Sequence, residues 1–160
     1  MSITCWIIIV LSVISVTLAY VFWNYNRIRK MPEGTDDMVE MASIIRSGAN
    51  AFMKTEYKTI TVVVILIALA LSFFVEKTSG ITFLLGAAMS SCACVLGMKS
   101  ATYANVRTAN KARESMSIGE TVKVALCGGS ISGLSVQAFG MLGLVAVLLI
   151  WGGVKHQTDG

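Results

Sequence analysis

The sequence predicts an all-α, polytopic membrane protein with four transmembrane helices, the second and fourth extending into the cytoplasm. Three observations carry that expectation. The 160 residues are 55% hydrophobic and 14% charged, with a single proline, which suits a membrane protein better than a soluble domain with a buried core. Four apolar runs, at about 3–23, 58–75, 81–99 and 130–151, have the lengths of membrane-spanning helices, and the first, at about 1.5 Å of helix rise per residue, spans a hydrocarbon core of roughly 30 Å. The charged residues lie between those runs. One membrane domain, 1–160, is therefore expected. The formal net charge of +4 is spread over loops and forms no continuous face, which speaks for basic loops beside a bilayer and against a nucleic-acid partner.

The first run could be confused with a signal peptide. No basic residue precedes it, however, and it closes on Tyr20, Phe22 and Trp23, as an interfacial aromatic belt would. It reads as a retained span. Arg27, Arg29 and Lys30 follow, then Pro32-Glu33-Gly34 as a turn. Thr35 stands at an N-cap position, with Asp36 and Asp37 in the first turn, where the helix dipole favours acids. A helical pattern continues through Met38, Met41, Ile45, Gly48, Ala49 and Phe52. Arg46, Asn50 and Lys54 share a wetter face, and nothing breaks the helix before the second span. Residues 76–80 are expected to turn the chain into the third helix, which leaves the membrane near Lys99. A break at 115–119 precedes a fourth helix starting near Glu120, and the tail 152–160 is short and polar.

Orientation follows from the basic residues. Segments 24–58 and 99–123 hold all the Lys and Arg except Lys77 and Lys155, so those connections face the cytoplasm and both termini lie outside. The third helix carries a stripe of small residues, Gly86, Ser90, Ala93, Gly97, Ala101, Ala104 and Thr108, at steps of three and four. The fourth carries Gly129-xxx-Gly133. Small residues let helix backbones approach closely in lipid, so both features predict helix packing.

The segment Gly97-Met98, Ala101-Thr102, Ala104-Asn105 and Arg107-Thr108-Ala109 resembles the third-helix signature of membrane-bound, ion-pumping pyrophosphatases. Two flanking stretches resemble the same family: Ile45-Arg46-Ser47-Gly48-Ala49-Asn50-Ala51-Phe52 with Glu56-Tyr57-Lys58, and Lys123-Val124-Ala125 with Gly128-Gly129-Ser130 and Gly133-Leu134-Ser135-Val136. The similarity runs collinearly over roughly 38–150. It implies pyrophosphate hydrolysis on the cytoplasmic side driving H⁺ or Na⁺ outward, Mg²⁺ as cofactor, and a homodimer in the intact family. It also implies an outside N-terminus and an outer-ring position for these four helices.

The residues themselves offer no such chemistry. Asp36-Asp37 is the only adjacent acidic pair among nine acids, and its place at a helix start makes it a capping partner. No D-x-x-x-D array or Gly-rich phosphate loop with its Lys is present, and Gly128-Gly129 opens into an apolar helix. Cys5, Cys92, Cys94 and Cys127 lie in or beside apolar runs without a CxxC pair, and are read as buried, inert thiols. No run has an ionisable centre; Gln137 is the most polar side chain within one and is expected to bond between helices, and His156 sits in the tail. Catalytic, cofactor-binding and metal-ligating residues are therefore expected to be none within this chain.

Asn105 and Arg107 are the polar residues that could approach a site built by other helices. The plainer reading has Arg107 capping the third helix and pairing with an acid. The expectation is thus the N-terminal part of a pump, without its catalytic helices and inactive alone, whose partners are the bilayer and the missing helices or a homologous subunit. The alternative is a free-standing four-helix membrane protein that supports another membrane complex. A small drug-type exporter fits less well, because it would want a membrane-embedded carboxylate.

Overall fold

The computed structural model describes residues 3–152, with side chains from 5 to 151. Lys155 and His156 lie outside the described residues. Four helices follow one another: α1 (Ile3–Arg29), α2 (Asp36–Phe74), α3 (Lys77–Ser115) and α4 (Ile118–Val147), the last running on as a π-helical turn, Leu148–Gly152. Among the described residues there is no strand. All four helices are long and apolar enough to cross a membrane. At 39 residues each, α2 and α3 reach about 58 Å, nearly twice the hydrocarbon core. Each must therefore carry a long polar extension.

The connections are short, and each has a physical cause. Between α1 and α2 the chain turns at Gly34, whose φ of +105° is a backbone state that side chains rarely adopt. Asp36 and Asp37 begin α2 as expected, although Thr35 at the N-cap makes no side-chain capping bond. Only Val75 and Glu76 separate α2 from α3, so the turn expected over 76–80 is shorter and helix resumes at Lys77. Gly80 lies inside the first turns of α3 and is there for a different reason: a Cβ would collide with Ser72 Oγ and the Ala68 carbonyl across the hairpin. Met116 closes α3 in the left-handed conformation at φ +50°, its N–H bonding the Ala112 carbonyl. The fourth helix starts at Ile118, two residues ahead of Glu120. Glu120 falls in its first turn and meets Lys111 of α3 at 2.9 Å.

In space the helices run α2, α3, α4, α1: α3 packs against both α2 and α4, α1 packs against α4, and α1 meets α3 only lightly. The core is correspondingly thin. Val21, Ile28, Ala104 and Ile131 form it, flanked by Tyr25, Tyr103, Cys127 and Leu134. Large apolar side chains are exposed along all four helices, up to 89% at Phe73 and 86% at Phe74. A continuous apolar exterior of this kind suits lipid and not water. The same thinness corrects the reading of the thiols: Cys5, Cys92 and Cys94 are exposed on the bundle and only Cys127 is half-buried. Gln137 is also exposed and makes no side-chain hydrogen bond among the described residues.

Candidate functional site

The α3–α4 seam is built from small residues, in a register rotated from that of the stripe. Ala93, Gly97, Ser100, Ala104, Arg107 and Asn110 are the buried positions of α3 beyond Gly80. A Cβ at Gly97 would lie 2.6 Å from Ser132 Oγ, and one at Gly128 would strike the Ala104 methyl. Ser100 Oγ donates to the Gly128 carbonyl at 3.0 Å. Close backbone approach is what places that hydroxyl within reach. Gly129 and Gly133, the expected packing pair, are exposed, and a Cβ on either would meet nothing within 4 Å. Within these four helices Gly128 makes the approach, one step round the helix.

The other stripe residues stay open. Gly86, Ser90 and Ala101 are exposed and Thr108 is half-buried. The first three line a groove of about 800 Å³ along α3 and α4, continued by Ser132, Gly140 and Gly143. Asn105 is exposed beside Ala101 and Gly129.

Arg107 goes the opposite way, into the protein. It is 4% exposed, and four of its five N–H donors are committed. Nε donates to the Met31 carbonyl at 3.0 Å, and Nη2 to the Arg29 carbonyl at 3.1 Å and to Glu33 Oε1 at 2.8 Å. Nη1 returns to the Tyr103 carbonyl of its own helix at 2.8 Å. The expected acidic partner is thus Glu33. The helix end that is capped is that of α1 and not α3, because Arg107 lies two turns inside α3 while the free carbonyls of α1 point at it.

Glu33 serves two cations, its other oxygen meeting Arg46 Nη2 at 2.5 Å. The hydrogen bond from Arg46, with the Arg107 charge beside it, outweighs desolvation and holds the Glu33 carboxyl below its ordinary range. The same bond raises Arg46. Around this pair, the guanidinium carbons of Arg46, Arg107 and Arg29 stand 4.8, 5.4 and 5.9 Å from the Tyr103 ring centre. Asn110 finishes the clasp, donating to the Pro32 carbonyl at 3.5 Å and to Glu114 at 3.0 Å while accepting from Arg113 at 3.1 Å. A Cβ at Gly34 would sit 2.7 Å from Asn110 Oδ1.

The sequence did not point to Glu33, Tyr103 and Asn110 as members of this cluster, or to Ser100 as a member of the α3–α4 seam. The spacing of Ser100, Ala104 and Arg107 could have found one face, since steps of four and three continue a helical stripe. Asn24 was missed as well. It is 1% exposed, donates to Ser130 Oγ at 3.3 Å across α1–α4, and leaves its Oδ1 without a protein partner.

A magnesium ion needs several oxygen ligands around one point. Among the described residues no three His, Cys, Asp or Glu side chains are grouped to hold a metal, and the best-placed acid, Glu33, is consumed by two arginines. The residues here do not fit such an ion.

Comparison with known proteins gives a consistent result. The family model "Inorganic H+ pyrophosphatase" matches residues 15–159. A K(+)-stimulated pyrophosphate-energized sodium pump of Thermotoga maritima is 48% identical over 90% of this chain and 20% of its own length. A K(+)-insensitive pyrophosphate-energized proton pump of Methanosarcina mazei is 37% identical over 86% of this chain, again 20% of its own length. A putative K(+)-stimulated pyrophosphate-energized sodium pump of Bacteroides thetaiotaomicron is 36% identical over 88% of the chain. The chain spans about a fifth of the length of these curated relatives.

Proposed function

This chain belongs to the inorganic H+ pyrophosphatase family, and we propose that it is the N-terminal four-helix portion of a pump coupling pyrophosphate hydrolysis to outward H⁺ or Na⁺ transport. In that pump it acts as outer-ring scaffold. The observation that carries the reading is the family match over residues 15–159, together with relatives named as pyrophosphate-energized pumps that the chain covers to a fifth of their length. The relatives include sodium and proton pumps, so the reading names both ions.

The reading assigns the chain's own residues to assembly. Arg107 and Glu33 fix the α1–α2 turn on α3, and the Gly97, Ser100, Ala104 and Gly128 seam fixes α3 on α4. The open groove at Gly86, Ser90 and Ala101, with Gly129 and Asn105 beside it, would then receive the helices of the remainder of the pump. Asn105, being exposed, is the residue placed to approach a site built there, whereas Arg107 has its donors committed inward. Mg²⁺ and pyrophosphate would be held by the clustered carboxylates of those other helices, since phosphoryl transfer depends on charge positioned around the phosphates. Spans at about 3–23, 58–75, 81–99 and 130–151, both termini outside, and cytoplasmic extensions on α2 and α4 complete the arrangement. A homodimer of the whole pump is the expected assembly.

Phosphate release from pyrophosphate is the direct test. The purified 160-residue chain with Mg²⁺ is expected to release no phosphate above background. Magnesium-dependent turnover by the isolated chain would overturn the scaffold reading, because it requires a metal site built from these residues.

A further inference from the structure

A cleft of about 320 Å³ opens between α1, α2 and α3, beside the clasp and apart from the α3–α4 groove. Its walls bring together Arg29 from α1, Arg46 and Asn50 from α2, and Lys99 and Thr102 from α3, with Tyr25 and Tyr103 as its aromatic side. Charge here is unbalanced. Glu33 pairs with Arg46 and Arg107, and among the described residues Arg29 and Lys99 form no ion pair. Arg46 keeps Nη1 free of the bonds that hold its Nε and Nη2. Several cations converging on one concavity would repel one another unless an anion sat between them.

Position narrows the kind of anion. Tyr25 and Arg29 come just after the first span, Arg46 and Asn50 precede the second, and Lys99 closes the third. The cleft therefore lies at the membrane–water boundary, where basic pockets between helices take phosphate-bearing groups. A guanidinium fork and an ammonium suit a phosphate, with the Asn50 amide and Thr102 hydroxyl as further neutral donors.

We propose that the cleft formed by Arg29, Arg46 and Lys99 is a binding site for a phosphate group, carried by an anionic lipid headgroup or by a soluble phosphate. The site needs the span limits given above but not the pump reading, and its test reads binding and not turnover. Thermal unfolding of the purified chain in detergent is followed while dioctanoyl phosphatidylglycerol, phosphate-free dioctanoylglycerol or inorganic phosphate is titrated in. A ligand that binds only the folded chain raises the midpoint in proportion to its occupancy.

The phosphatidylglycerol is expected to raise the midpoint and dioctanoylglycerol to leave it unchanged. Arg29→Gln with Lys99→Gln should weaken the response about tenfold, since two charge-assisted bonds are lost. Lys54→Gln with Lys58→Gln removes the same charge from α2 outside the cleft and should leave the response intact. Lys99→Gln alone, at an exposed position, serves if the double variant does not fold. A comparable shift with inorganic phosphate, lost in the same variant, assigns the site to a soluble phosphate; its absence assigns it to the headgroup. Equal weakening by the two lysine–arginine and lysine–lysine pairs, or no shift with either phosphate-bearing probe, overturns the proposal.

Discussion

Gly128 and Gly129 are chemically identical neighbours, and the structure gives them opposite environments. Alanine at either position removes the conformational freedom of a helical glycine, which favours the folded helix by about 0.5–1 kcal/mol. At Gly128 the added methyl meets the Ala104 methyl head-on, and overpacking of this kind costs roughly 1–3 kcal/mol. Pushing the helices apart also stretches the 3.0 Å bond from Ser100 to the Gly128 carbonyl, a bond type worth about 0.6 kcal/mol in membrane proteins. The balance is a loss of about 1–2 kcal/mol for Gly128→Ala. Gly129→Ala meets nothing within 4 Å and should gain up to about 1 kcal/mol. Helicity of each purified variant, followed through an SDS titration in mixed micelles, reads both values. Equal midpoints for the two variants, or Gly129→Ala as the weaker one, would refute the seam register.

Two further predictions concern the clasp and the topology. Glu33→Gln should cost about 1–3 kcal/mol, less than a fully buried pair, because Glu33 and Arg46 are 18% and 22% exposed. Because the folded carboxyl titrates below its ordinary 4.5, its contribution is complete above that value and fades as pH falls through the lower folded one. Urea or SDS midpoints measured down the acid range should show that fading in the wild type and lose it in Glu33→Gln; equal slopes would contradict the assignment. For topology, a cysteine replacing Ser79 in a background without the native cysteines should react with impermeant reagents from outside the cell only, and labelling from the cytoplasmic side would reverse the orientation.

The four helices were legible because each apolar run falls within the roughly 17–25 residues that cross a bilayer and the breaks are marked by Pro32, Gly34 and the polar stretch around Ser117. Helix limits shifted where one glycine has two possible uses. Gly80 reads as a turn residue, yet it serves the contact with Ser72 and Ala68. Similarly, periodicity draws a small-residue stripe on α3, of which Ala93, Gly97 and Ala104 are buried within these four helices, but it could not separate Gly128 from Gly129, which differ by one step of about 100° and not by chemistry. The clasp was the least legible part. Arg107 announced itself by charge, but Glu33 lies 74 residues away in sequence, and no local pattern pairs them. Asn24 and Ser100 were hidden for the same reason, since their partners, Ser130 and Gly128, sit on another helix.

If these helices are the scaffold of a pump whose chemistry lies in other helices, they should complement a pump that lacks them. Co-expression puts this to the test, using the Thermotoga maritima relative with the stretch matching this chain removed. Pyrophosphate hydrolysis and ion uptake are then measured in vesicles with Mg²⁺, for that truncated relative alone and together with this chain. Both activities should be absent from the truncated relative and return when this chain is supplied. Gly128→Ala should lower the recovered activity in step with the amount of assembled complex. Full activity in the truncated relative without this chain, or none when the two co-purify, would rule out the scaffold role.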